Sequence, residues 1–278
     1  MARMLILGPG YTASRVAARL AARGWHVVGT SRDGRAGTVR FDDRDAVAIE
    51  IAAATHVLSS VPPADGVDPV LVTHGAALAR ARGWRGYLSS TGVYGDAAGG
   101  WVDETAPIAG RRAARNRADA DWRALGAHVF RLPGIYGPAR SPLDRVREGA
   151  AHRVNVPGQV FSRVHVDDIV SGVIAGFDGP AGAYNFADDE PCSQNRVVAF
   201  AAALVGVPAP AFVPLDALSP MARGFYAENR RVANGKAKRL LGWAPEWPDY
   251  RAGLRALNAM TSPMPVSTDP AAASGDQR

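Results

Sequence analysis

The chain has 278 residues and a formal net charge of +6, with hydrophobic residues at 47% and charged residues at 21%. That balance suits a soluble globular protein with a sizeable core, and no run of eighteen apolar residues offers a membrane span. The single cysteine, Cys192, excludes an internal disulfide, and the glycines in MARMLILGPG arrive too early for a signal-peptide core, so the cytoplasm is the expected compartment.

Met4–Leu7 is a short buried apolar run of the kind parallel strands have. Gly8-Pro9-Gly10 turns the chain, and a helix is predicted over Ala13–Arg23, stopped by Gly24. Strands follow at Trp25–Gly29, Val39–Phe41, His56–Ser59, Arg85–Ser90 and His128–Leu132, separated by helices at Asp45–Ala53, Val67–Arg82 and Arg111–Leu125. Strands alternating with helices of this length predict a Rossmann-type α/β fold, a doubly wound parallel sheet. From about Gly137 the rhythm loosens, which predicts a small C-terminal substrate lobe drawn mainly from residues 138–160 and 188–260 of a domain spanning 1–260. The tail, 261–278, has no core-forming pattern and is expected to be disordered.

Gly8-x-Gly10-x-x-Ala13 follows a strand and opens a helix, the context that turns a glycine pattern into a dinucleotide signal. Gly8 permits the turn, Gly10 leaves room for a pyrophosphate, and Ala13 allows close packing of helix on strand. The backbone N–H groups of Tyr11 and Thr12 then face the anion. The second strand ends in Thr30-Ser31-Arg32, where an NAD site usually offers a carboxylate. Arg32 and Ser31 suit a 2′-phosphate, so NADP(H) is favoured over NAD(H); Asp33 is the competing acidic residue if the strand runs one position longer. Asp42 falls where an adenine contact is plausible, or is a solvated turn residue. Ser59 and Ser60, ending the fourth strand, complete the expected cofactor contacts there.

Three further segments resemble the extended short-chain dehydrogenase/reductase superfamily, in its epimerase/dehydratase branch. They are Leu88-Ser89-Ser90-Thr91-Gly92-Val93-Tyr94-Gly95, Arg131-Leu132-Pro133-Gly134-Ile135-Tyr136-Gly137-Pro138 and Arg163-Val164-His165-Val166-Asp167-Asp168. Ala183-Tyr184-Asn185-Phe186 and Leu240-Leu241-Gly242-Trp243 are also similar, so the resemblance runs from about residue 3 to 257. It implies a nicotinamide cofactor beside Pro133, a catalytic hydroxyl at Ser90 with Thr91 as its substitute, and a homodimer paired through two helices.

The family's Tyr-x-x-x-Lys pair is missing. The first lysine is Lys236, and no tyrosine lies between Tyr94 and Tyr136. Arg111 and Arg115, or Ala113 and Arg117, fill those places depending on alignment. Arginine is too basic to donate a proton near neutral pH but can clamp a ribose or an anionic substrate. Substitute donors are Tyr94, Tyr136, His152, His165, Asp103 and Glu104, and Arg140, Asn155 and Phe225 mark the substrate region. No metal or serine-hydrolase motif occurs.

Lys236 and Lys238 are the only lysines, so 30 of the 32 basic residues are arginines, spread without interleaved aromatics. Nucleic acid is not an expected partner. The sequence therefore points to an NAD(P)-dependent oxidoreductase or epimerase/dehydratase-like enzyme acting on a small carbonyl or sugar-type substrate. The alternative is a non-catalytic NADP-binding sensor or partner-binding protein.

Overall fold

The computed structural model describes residues 2–261. Seven strands form one wholly parallel sheet: β1 (Arg3–Leu7), β2 (His26–Ser31), β3 (Val39–Arg40), β4 (His56–Ser59), β5 (Trp84–Ser90), β6 (His128–Leu132) and β7 (Gly182–Asn185). Their order across the sheet is β7-β6-β5-β4-β1-β2-β3. This is the doubly wound Rossmann-type arrangement, and the order reverses between β1 and β4, where ligands of such sheets bind.

Alternation along β1 explains why the sheet is covered twice. Met4 and Ile6 join one core with Val16 and Leu20 of α1 (Tyr11–Ala21) and Ile169 and Val173 of α6 (Val166–Ala175). Leu5 and Leu7 point the other way, into a second core with Val47 and Ile51 of α2 (Arg44–Ala53), Leu78 of α3 (Pro69–Arg80) and Trp122 of α4 (Ala113–Ala124). Each such side chain, taken fully from water, contributes about 2 kcal/mol. A third cluster belongs to the C-terminal lobe: Leu143 of α5 (Pro142–Arg147), Val197 and Ala201 of α7 (Gln194–Leu204), and Leu254 and Leu257 of α10 (Tyr250–Thr261).

Element ends differ from the sequence reading for local reasons. α1 begins at Tyr11, two residues early, because Gly10 is its N-cap and its carbonyl accepts from Ser14 at 2.8 Å. α4 begins at Ala113, so Arg111 and Arg112 lie outside it; the N–H groups of Ala109 and Gly110 both bond to Val93 O, which holds the chain in a non-helical approach. α3 begins at Pro69 because Asp68 Oδ1 accepts from the N–H of Val70 and Leu71. Thr261 closes α10, and 262–278, the rest of the expected tail, lies outside the described residues. No helix among the described residues is long and apolar enough to cross a membrane.

Candidate functional site

The phosphate turn sits at the switch point. Gly8 has φ +73°, and a Cβ there would stand 2.6 Å from Val61 Cγ2, so only glycine fits. Its N–H bonds to Thr30 Oγ1 at 3.3 Å and its carbonyl accepts from Ser60 Oγ, which ties β1, β2 and β4 together at their ends. Above Gly10 the space is open: a Cβ would meet nothing within 4 Å. No side chain caps α1, so the N–H groups of Tyr11 and Thr12 lack intrahelical acceptors. The Tyr11 hydroxyl donates to Pro138 O at 2.8 Å, and the Arg140 guanidinium lies 4.6 Å from the Tyr11 ring centroid.

At the end of β2, Arg32 is exposed and makes no side-chain hydrogen bond among the described residues. Asp33 is exposed too; its Oδ1 accepts from Ser31 Oγ at 3.0 Å, which holds its carboxyl below the usual range, and Arg35 is 3.8 Å away. Asp42 is engaged by Arg40 in an exposed two-pronged pair at 3.1 and 2.7 Å. Ser59 is fully buried with no hydrogen bond to its hydroxyl, while Ser60 holds the turn.

A cleft of about 780 Å³ opens at the carboxyl ends of β5 and β6. Ser90, Thr91 and Pro133 line it, as do Arg111 and Arg115. Ala113 and Arg117 do not, so of the two alternatives for the missing Tyr-x-x-x-Lys pair only the first puts both residues at the cleft. Ser90 Oγ accepts from Gly92 N at 3.1 Å, leaving its own proton to give. Gly110 brings the start of α4 against this corner: a Cβ there would lie 2.1 Å from Gly92 O.

The substitute donors separate clearly. The Tyr94 hydroxyl is committed, accepting from Arg131 Nη1 at 2.9 Å and donating to Asn185 Oδ1 at 2.7 Å. The Tyr136 hydroxyl is buried against Gly253 of α10 with no partner. His165 is buried between Tyr136 and Trp247, and burial pushes it down to about 4, so it stays neutral. Glu104 accepts the Asn185 N–H at 2.7 Å, and Asp103 caps the turn at Thr105. Of that group His152 and Tyr136 line the cleft, and Tyr136 does so with its hydroxyl buried. Of the substrate-region residues, Arg140 and Phe225 line it and Asn155 does not.

Two features had no cue in the sequence. Tyr226, at the end of α8 (Pro220–Tyr226), lines the cleft, with its hydroxyl raised above the usual range by burial. Arg111 donates to Glu228 Oε1 at 2.7 Å and to Gly224 O at 2.6 Å, drawing α8 across to the start of α4. These partners lie more than a hundred residues apart, beyond any local pattern. No cluster of three or more metal-ligating side chains occurs among the described residues.

No family model matches the chain. A functionally unknown conserved protein from Silicibacter pomeroyi superposes with a TM-score of 0.83 at 41% identity, over 94% of this chain and 99% of its own. The chain belongs to one family with that protein. Solved structures of epimerases and dehydratases share its Rossmann-type fold. A human epimerase family protein solved with NADPH has a TM-score of 0.75 at 15% identity, covering 92% of this chain and 99% of that one. A Streptomyces protein named 3-diazoavenalumate denitrifying reductase is 29% identical over 91% of this chain and 99% of its own. Other solved structures of the same fold hold NAD.

Proposed function

We propose that this family member is an NADP(H)-dependent reductase of a small carbonyl-type substrate. The observation that carries this is the joining of two sites: Arg140, which lines the cleft, lies over the ring of Tyr11 in the phosphate turn. Gly8, Gly10, Tyr11 and Thr12 cradle the pyrophosphate. Ser31 and Arg32 take the 2′-phosphate, Arg32 having no carboxylate partner among the described residues. Ser59 and Ser60 line the turn, Asp42 flanks the adenine side, and Pro133 backs the nicotinamide. Bound there, the cofactor supplies the hydride, and this chain supplies orientation. Ser90, with Thr91 beside it, donates a hydrogen bond to the substrate oxygen. The proton comes from the lobe wall, where His152 and Tyr226 face the cleft. The reductase name of the Streptomyces relative and the NADPH of the human structure support this choice.

The tie of Arg111 to Glu228 and Gly224 favours a second reading. It fills the tyrosine's place with a residue already occupied, as a non-catalytic NADP-binding protein would tolerate.

Titration with NADPH and NADH, followed by tryptophan fluorescence, tests the cofactor. Tighter NADPH binding, with NADPH oxidation on a carbonyl panel that Ser90→Ala abolishes, is the expected result. Binding of neither nucleotide overturns the reading, and binding without turnover favours the second one.

A further inference from the structure

We propose that the cleft wall formed by Arg112 and Arg115 grips an oxyanion on the substrate, which is an apolar body ending in a carboxylate or phosphate. This rests on reading the cleft as the substrate site.

The charge imbalance comes first. Seven arginines line the cleft against three carboxylates, Asp144, Glu148 and Glu228. Glu228 is neutralised by Arg111 and Arg230, each at 2.7 Å, and sits below the usual carboxylate range for that reason despite its burial. Asp144 accepts from the Ser141 N–H and faces Arg147 at 3.6 Å. An excess of fixed positive charge therefore remains in a concave site, where it attracts and concentrates anions.

The remaining arginines have tasks. Arg163 is buried on the carbonyls of Phe161 and Cys192, Arg145 donates to Ala150 O, and Arg140 covers Tyr11. Arg112 and Arg115 make no side-chain hydrogen bond or ion pair among the described residues. They are also the two that flank the expected reaction corner, because Gly110 presses the start of α4 onto Gly92. A guanidinium offers a planar fork that matches carboxylate and phosphate oxygens in a two-pronged way. Leu132, Ile135, Val160, Phe161 and Val198 give the cleft an apolar side for the rest of the molecule.

The test is calorimetry on protein saturated with NADP⁺, using benzoate, its neutral isostere benzamide, phenyl phosphate and inorganic phosphate as probes. Benzoate or phenyl phosphate should bind at least about tenfold more tightly than benzamide, and the better of the two identifies the oxyanion. The Arg112→Ala/Arg115→Ala double variant should lose at least about tenfold of that affinity. Arg115→Lys, which keeps charge but not the fork, should fall between, and Arg19→Ala on the far face of α1 should match the parent. Equal binding of benzoate and benzamide overturns the proposal. So does the absence of any anion binding up to about 20 mM, or a double variant that binds like the parent. NADPH affinity is measured on every protein. Benzoate bound without NADPH sinks the cofactor reading alone. A double variant that loses NADPH while keeping benzoate assigns these arginines to the cofactor and ends this proposal alone.

Discussion

Arg131 and Asp119 form a fully buried, two-pronged ion pair, Nη2 to Oδ1 at 2.7 Å and Nε to Oδ2 at 3.0 Å. Ser89 donates to the same Asp119 Oδ2 at 2.7 Å, and Arg131 reaches on to the Tyr94 hydroxyl and through it to Asn185. The pair thus joins α4 to β6, β5 and β7 directly beneath the cleft. It fixes the position of α4, on which Arg115, one turn before Asp119, lines the cleft together with Ser90. Buried charges that are fully bonded in this way specify one arrangement.

Removing half of that pair leaves a buried, uncompensated charge. Asp119→Asn is therefore expected to lower stability by about 3–5 kcal/mol, read as a lower urea midpoint at unchanged slope. An Asp119→Leu/Arg131→Met double variant should recover much of the loss. A single variant as stable as the parent would show that the charge finds another partner.

How much of this was legible varied with distance along the chain. The turn Gly8–Ala13 and the Ser89–Gly95 segment could be read because their constraints are local: a positive φ, a close packing, a hydroxyl at a strand end. The start of α4 was read two residues early, because what holds Gly110 out of the helix is the carbonyl of Val93. The Asp119–Arg131 pair and the Arg111–Glu228 tie had no signal, since each charge alone looks like a solvated helix or loop residue. Tyr226 lies in a segment without periodicity, and only the fold turns it toward the cleft.

Asp188 gives a pH prediction. It is buried, neither oxygen accepts a well-formed hydrogen bond, and burial pushes it up to about 8 against the opposing pull of Arg163. An unfolded aspartate titrates near about 4. Between these values the native chain holds a proton that the unfolded chain has released, so stability falls as pH rises through this window. Asp168, pushed up to about 7 by burial, acts in the same direction. His165 acts oppositely: its depressed value means stability is lost as pH falls from about 6.5 toward 4. Asp188→Asn should therefore match the parent's melting temperature near about pH 4 and exceed it most at about pH 8. A constant offset across that range would contradict the assignment.

On the proposed reading, Arg32 decides between the two cofactors. A charge-assisted bond to a 2′-phosphate contributes about 1.5–3 kcal/mol, so Arg32→Ala should weaken NADPH binding by roughly ten- to a hundredfold. NADH, which has no such phosphate, should bind as before. Fluorescence titration of both nucleotides measures this, and an equal loss for both would place Arg32 outside the phosphate site.

Two glycines carry opposite expectations from the same substitution. At Gly110 an added methyl meets Gly92 O at 2.1 Å and Asn116 Oδ1 at 2.9 Å, one of them backbone, so the start of α4 has to move. Gly110→Ala should cost about 1–3 kcal/mol as overpacking does. It should also weaken ligand binding in the cleft, because Arg112 and Arg115 move with α4. At Gly75, inside α3, a methyl meets nothing within 4 Å, and the backbone is already helical. Gly75→Ala should therefore add about 0.5–1 kcal/mol by restricting the unfolded chain and leave binding unchanged. Thermal melts of the two variants should move in opposite directions. If both rise, Gly92 yields to the methyl, and the approach of α4 to the Ser90 corner is looser than the packing implies.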